Sequence, residues 1–326
     1  MRNRSGRWAG ALAATWLLVC VGCVWAEEAQ PPQKCLLWKV GSETATLYLF
    51  GSIHTANAEM YPLNPTIEKA FDEVDTLILE LALTPETQAK AARLSLLKGT
   101  YPEGETLEAN LSEAAREKLK AYLEPRGLTP AAVNNMRPWF VQLMLAMQEY
   151  LRLGYDPALG LDLYFHAKAT EQGKKVVSLE SVEEQMEVLA GASAEVQALA
   201  LVETLENLPR VKDIIGRMVD AWKAGDAEGL HRIVEEERSE NPKLKAYEKK
   251  LIEDRNVTMA ARLEEYLKTE GTYFAVVGAA HLVGPKGIVR LLEEKKYAVE
   301  QLDKSPEPAK EEGEPREKPA EPVAAS

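Results

Sequence analysis

Two apolar runs, more than two hundred residues apart, end in the same four-residue signature: TLYLFGSIH closes on Gly51 and His54, and TYFAVVGAAH closes on Gly278 and His281. Each run is apolar at consecutive rather than alternate positions. A strand of that kind is buried on both faces, which favours a parallel sheet covered by helices. CLLWKV, TLILEL, KKVVSL and YAVEQL read as further strands. Helical patterns separate them over 64–74, with Pro65 near the first turn, and over 85–98, 112–123, 130–153 and 161–172, the last ending at Gly173. More follow over 182–224, 227–238, 243–268 and 285–295. The expected fold class is α/β, a mostly parallel central sheet with large helical insertions.

In such a sheet the carboxyl ends of the strands share one edge, and ligand sites form beyond it. Both histidines fall a few residues past a strand end. The glycine before each lets the chain turn sharply and lets other groups approach its backbone. Glu80 ends TLILE, and Glu180 ends VVSLE. Two imidazoles and a carboxylate suit a three-ligand divalent site with a position left for water. Such an ion acidifies water and polarises a carbonyl, and a nearby carboxylate takes the proton. His54, Glu80 and His281 are therefore the candidate ligands. Glu180 is the candidate general base or fourth ligand, and it could exchange roles with Glu80. Arg255 and Asn256, in EDRNVTMAARL, could orient a substrate carbonyl or hold Glu80, an ordinary salt bridge being the plainer reading. His166 and His231 lie in helical stretches and read as structural; Trp139 and Trp222 read as packing anchors. No Gly-x-Ser-x-Gly elbow supports a nucleophile at Ser52 or Ser178. The lack of Gly-x-Gly-x-x-Gly and of a phosphate loop argues against dinucleotide or ATP chemistry.

Composition narrows the class further. With 326 residues, 46% of them hydrophobic, the chain can bury a sizeable core. Its net charge of −12 argues against a nucleic-acid partner. Arg2, Arg4 and Arg7 precede the apolar WAGALAATWLLVCVGCVWA, the order of a secretory signal. The expected organisation is a signal peptide over 1–26, a folded domain over 35–303 and a disordered Pro/Glu/Lys tail over 304–326. Cleavage after Ala26 is the leading expectation; lipidation of Cys23 and an uncleaved anchor are the alternatives. Either way the domain is exported, to the periplasm or beyond the cell, and meets a membrane only through that N-terminus. Of the 3 cysteines only Cys35 lies outside the leader, so neither an intramolecular disulfide nor a thiolate metal cluster is available.

Together, LYLFGSIH, TLILEL, RPWF, GLDLYF, VVSLES with Gln185, AWKAGD, DRNVTMA and VVGAAHLVGPKGIVRLL resemble the TraB/PrgY/GumN family, which includes the animal Tiki proteins, and the GumN-type bacterial branch in particular. The resemblance implies a fold akin to erythromycin esterase and the haem-binding ChaN proteins. It also implies metal-dependent peptidase activity with manganese or cobalt. By position it places His54, Glu80 and His281 at the site, with Arg255 and Asn256 as candidates. The expectation is an exported hydrolase using manganese, cobalt or zinc on a peptide or protein substrate. The rivals are a non-catalytic periplasmic binder of peptide or haem, and a metal-free esterase with a histidine base.

Overall fold

The computed structural model describes residues 34–305. The expected signal peptide with Cys20 and Cys23 lies outside the described residues, as does the expected tail beyond Ser305. The apolar runs pair into one six-stranded sheet. In chain order the strands are β1 (Lys34–Gly41), β2 (Ala45–Ser52), β3 (Thr76–Leu79), β4 (Lys175–Ser178), β5 (Gly271–Gly278) and β6 (Ala298–Asp303). Across the sheet the order is β4-β3-β5-β2-β1-β6. β4, β3, β5 and β2 run parallel, and β1 is antiparallel to both its neighbours.

β5 therefore slots between β2 and β3, although it comes almost two hundred residues after β3. Its register with β2 sets Gly51 beside Val277 and Ser52 beside Gly278. The two Gly-x-x-His segments thus leave adjacent strands at nearly the same height. All eight residues of β2 except Thr46, and the last six of β5, are buried, as consecutive apolar positions require.

Helices cover the sheet. Phe50 from β2, Phe274 from β5, Phe71 from α1 (Pro65–Asp72) and Phe165 from α5 (Leu161–Glu171) form one aromatic cluster, its ring centroids 5.0–5.9 Å apart. The insertion between β3 and β4 begins with α2 (Pro85–Gly99), α3 (Glu113–Leu123) and α4 (Pro138–Arg152). That between β4 and β5 holds α6 (Val182–Ala190), α7 (Ala194–Asn207), α8 (Val211–Ala224), α9 (Ala227–Glu236), α10 (Pro242–Leu251) and α11 (Glu253–Leu267). α12 (Ile288–Glu294) leads into β6. Leu119, Leu123, Val141, Leu145, Leu201 and Leu205 build a second core where α3, α4 and α7 meet.

Several helix limits differ from the sequence expectation. The helix expected over 130–153 begins at Pro138; residues Pro130–Val133 form a separate 3-10 turn. Proline restricts the residue before it, and Arg137 is extended, which resets the helix there. The run 182–224 is three helices. Gly191 closes the first, Ser193 caps the second, and Pro209 sits in a 3-10 turn before the third. The run 243–268 breaks at Ile252, and the last helix starts at Ile288 rather than near 285.

Candidate active site

The lateral order of the strands becomes a lateral order of side chains. Reading across the shared carboxyl edge, β4 presents Glu180, β3 Glu80, β5 His281 and β2 His54. Backbone bonds carry the sheet one step past β3 and β4, with Leu179 N donating to Leu79 O at 2.7 Å and Glu180 N to Glu80 O at 2.8 Å. Both carboxylates are therefore held at the rim. α11 brings Arg255 over them.

Glu80 is the hub. Its Oε1 accepts from Gly278 N at 2.7 Å and lies 3.8 Å from His54 Nε2 and 4.0 Å from His281 Nε2. Its Oε2 accepts from Arg255 Nη2 at 2.6 Å. Glu180 takes the rest of that guanidinium, from Nε at 2.9 Å and from Nη2 at 2.6 Å, and also accepts from Gln185 Nε2 at 3.1 Å. Arg255 Nη1 donates to His281 Nε2 at 3.2 Å.

The ring tautomers follow from the partners on the far side. Asn256 Nδ2 donates to the Lys286 carbonyl at 2.8 Å, so its Oδ1 must be the atom facing His281 Nδ1 at 2.6 Å. His281 therefore carries its proton on Nδ1 and keeps the lone pair on Nε2. His54 Nδ1 likewise donates to Asp162 Oδ2 at 2.8 Å, a carboxylate that can only accept. Both Nε2 atoms face Glu80.

The two imidazoles differ in charge. His281, with its side chain only 5% exposed, is lowered to about 4, first by burial and then by Arg255, so it is neutral at physiological pH. His54, 58% exposed to the cleft, is lifted to about 9 by Asp162. Burial works to raise Glu80, but the surrounding imidazoles, Arg255 and the Gly278 N–H outweigh it and hold the carboxyl down to about 2.

The glycines serve close approach, not a left-handed turn: neither Gly51 nor Gly278 has a positive φ. A Cβ on Gly51 would lie 3.2 Å from Ala279 Cα. One on Gly278 would lie 2.9 Å from His54 Nε2 and 3.4 Å from Glu80 Oε1. Sequence reasoning missed Asp162, which also accepts from Ser52 Oγ at 3.1 Å. It sits in the first turn of α5, where an acid reads as a response to the helix dipole. The signal was the Gly160 before it: a Cβ there would strike the His54 carbonyl at 2.3 Å, so this helix start must dock on the His54 turn. Asn256 is 1% exposed and touches His281 rather than the cleft. Trp222 packs in the main core and donates to Gly51 O at 2.7 Å, and Trp139 packs with Val182 and Met186. The other two histidines lie away from the cluster: His166 is on α5, and the His231 ring lies against Gly284.

The donor chemistry suits a divalent ion. Three carboxylates (Glu80, Glu180, Asp162) against one guanidinium leave two negative charges when both imidazoles are neutral, and each ring is oriented by a partner on its other nitrogen. The spacing is wider than a closed shell: among the described residues no three His, Cys, Asp or Glu side chains stand ready to grip an ion. The cluster opens into a cavity of about 490 Å³ lined by Leu81, Leu83, Leu163, Val188 and Leu251 among others.

Comparison with known proteins adds relatives of two kinds. The chain is 24% identical over 245 residues to the uncharacterized protein YbaP of Escherichia coli K12, covering 75% of this chain and 87% of that one. It is 25% identical over an alignment of 357 residues to the metalloprotease TIKI1 of Danio rerio, covering 90% of this chain and 70% of that one. It is 26% identical over 322 residues to the metalloprotease TIKI2 of Xenopus tropicalis, covering 84% and 61%. No solved structure matches the chain. The family model described as the TraB/PrgY/gumN family matches residues 36–301, and the chain belongs to that family.

Proposed function

We propose that this protein is an exported, metal-dependent hydrolase of peptide bonds, with His54, Glu80 and His281 as the ligands of one divalent ion, manganese, cobalt or zinc. The observation that carries the reading is the convergence of both His Nε2 atoms on Glu80 Oε1, at 3.8 and 4.0 Å, at the mouth of an apolar cleft; the proton on His54 Nε2 would be displaced by an ion bound there. The metalloprotease names of the TIKI relatives support it. Bound there, the ion supplies Lewis-acid polarisation of the scissile carbonyl and lowers the pKa of the attacking water.

The chain's own groups do the rest. Asp162 and Asn256 hold the two rings in the Nδ1–H tautomer. Arg255, fixed by both glutamates, carries positive charge to where a carbonyl oxygen gains negative charge. The proton released by water goes to Glu180, held beside Glu80 by the Arg255 Nη2 that the two carboxylates share at 2.6 Å each. Export rests on the basic, apolar, small-residue order of residues 1–26, and N-terminal sequencing of fractionated protein tests it.

Metal analysis after dialysis against manganese, cobalt and zinc tests the centre. Wild type should hold about one ion per chain, and His54→Ala and His281→Ala should each bind at least tenfold more weakly. Equal metal content in wild type and the double variant defeats the reading. The rival is a peptide binder without catalysis, favoured by the Arg255 Nη1 contact that caps the His281 lone pair. Peptide binding that survives chelation, with no cleavage in any metal, selects it.

A further inference from the structure

The cavity in front of the cluster has a composition of its own. Leu81, Leu83, Leu163, Val188, Leu189 and Leu251 form its walls, and its volume of about 490 Å³ is far more than an ion and a water need. The charged members of its lining, His54, Glu80, Asp162 and Arg255, belong to the one bonded cluster just described. Gln88 and Gln185 are the uncharged polar members of the lining, and each is tied through its amide nitrogen: Gln88 Nε2 donates to Leu83 O at 2.7 Å, and Gln185 Nε2 to Glu180 Oε2 at 3.1 Å. An amide anchored through nitrogen keeps its carbonyl oxygen as an acceptor, and the N–H groups of an extended peptide are fitting donors.

We propose that this cleft is a specificity pocket for one large uncharged side chain (leucine, methionine or phenylalanine) of an extended peptide, with Gln88 and Gln185 accepting from its backbone; that this side chain flanks the cleaved bond rests on the hydrolase reading. An acidic side chain in the pocket would face Glu80 and Asp162, whose charges already engage Arg255 and His54, and would give up its hydration against leucine walls. A lysine would lose its hydration against leucine walls without gaining a carboxylate of its own. Burying a leucine-sized side chain favours it by roughly ten- to hundredfold over a charged one. Val188 and Leu251 set the size and polarity of the pocket because they face the cluster from α6 and α10.

The test uses the peptides N-acetyl-Ala-X-Ala-amide with X = Leu, Phe, Asp or Lys, titrated calorimetrically into the chelated protein, where no cleavage intervenes. The Leu and Phe peptides should bind at least tenfold tighter than the Asp and Lys peptides. Leu251→Asp should erase that preference. Val188→Phe, which only fills space and keeps the wall apolar, should lose the Phe peptide first. Equal affinities across the series, no binding by any peptide, or a preference unchanged in a folded Val188→Phe variant overturns the proposal. The same peptides with manganese separate the two readings. Selective binding without cleavage leaves the pocket standing and removes the hydrolase; cleavage without side-chain preference does the reverse.

Discussion

Replacing Gly278 by alanine adds one methyl group at the centre of the candidate site. The backbone accepts it: φ −53° and ψ 133° lie in a region open to any L-residue. The new Cβ would sit 2.9 Å from His54 Nε2, 3.4 Å from Glu80 Oε1 and 3.5 Å from His281 Cδ2. Only the first distance is prohibitive, and His54 is the exposed partner, free to swing toward solvent. Its swing gives up the Asp162 bond, about 1 kcal/mol, while the lost glycine freedom of the unfolded chain returns about 0.4–1 kcal/mol. Stability should therefore change by less than about 1 kcal/mol in urea denaturation. Metal affinity should not survive so lightly. A ligand is displaced and the space between the three donors is filled, so binding should fall at least about a hundredfold, or about 2.8 kcal/mol. Metal content after dialysis at fixed free ion reads this directly. A Gly278→Ala protein of native stability that retains wild-type metal affinity would refute the claim that these three side chains hold the ion.

Other perturbations separate charge from packing. Arg255→Leu leaves Glu80 and Glu180 without their shared cation and should cost about 3–5 kcal/mol in urea unfolding; a loss below 1 kcal/mol would mean water already screens the pair. Asp162→Asn removes the group that lifts His54 to about 9. That stabilisation is complete below the unfolded value of 6.5 and fades as pH rises through about 9, and exposure of His54 limits it to about 1 kcal/mol. Urea midpoints of chelated wild type and variant should thus differ most at about pH 6 and draw together above about pH 10, the amide oxygen of the Asp162→Asn variant still accepting from Ser52 Oγ. On the acid side, the folded values of His281 (about 4 against 6.5) and Glu80 (about 2 against 4.5) both lie below their unfolded ones. Stability should then fall from pH 6.5 toward 4 through His281 and from 4.5 toward 2 through Glu80, and His281→Gln should flatten the upper limb. Phe165→Ala empties the middle of the aromatic cluster and should cost about 3–5 kcal/mol, measured by the same unfolding assay.

Much of this architecture was readable from residue order, and the reasons are local. LYLF and FAVV are apolar at every position, short, and followed by glycine, as a strand buried on both faces is. Pro65 and Pro85 start α1 and α2 because proline suits a helix's first turn. Helix continuity was read less well. The break at Ile252 has no glycine or proline to mark it, and the break after Ala190 is closed by Gly191 in an ordinary helical conformation. At the site, Glu80 and the two histidines announced themselves as polar groups at the ends of apolar runs. Asp162 did not, because in a helix's first turn an acid has a commonplace explanation.

Sequence alone determined that two imidazoles and two carboxylates would stand at strand ends, since burial periodicity and glycine placement are written in neighbouring residues. Only the tertiary structure decided that they stand side by side. That depends on β5 inserting between β2 and β3, a pairing across some two hundred residues that no local pattern encodes. It likewise placed Arg255 among the acids and Asp162 behind His54, because both come from helices whose docking is set by the core they cover.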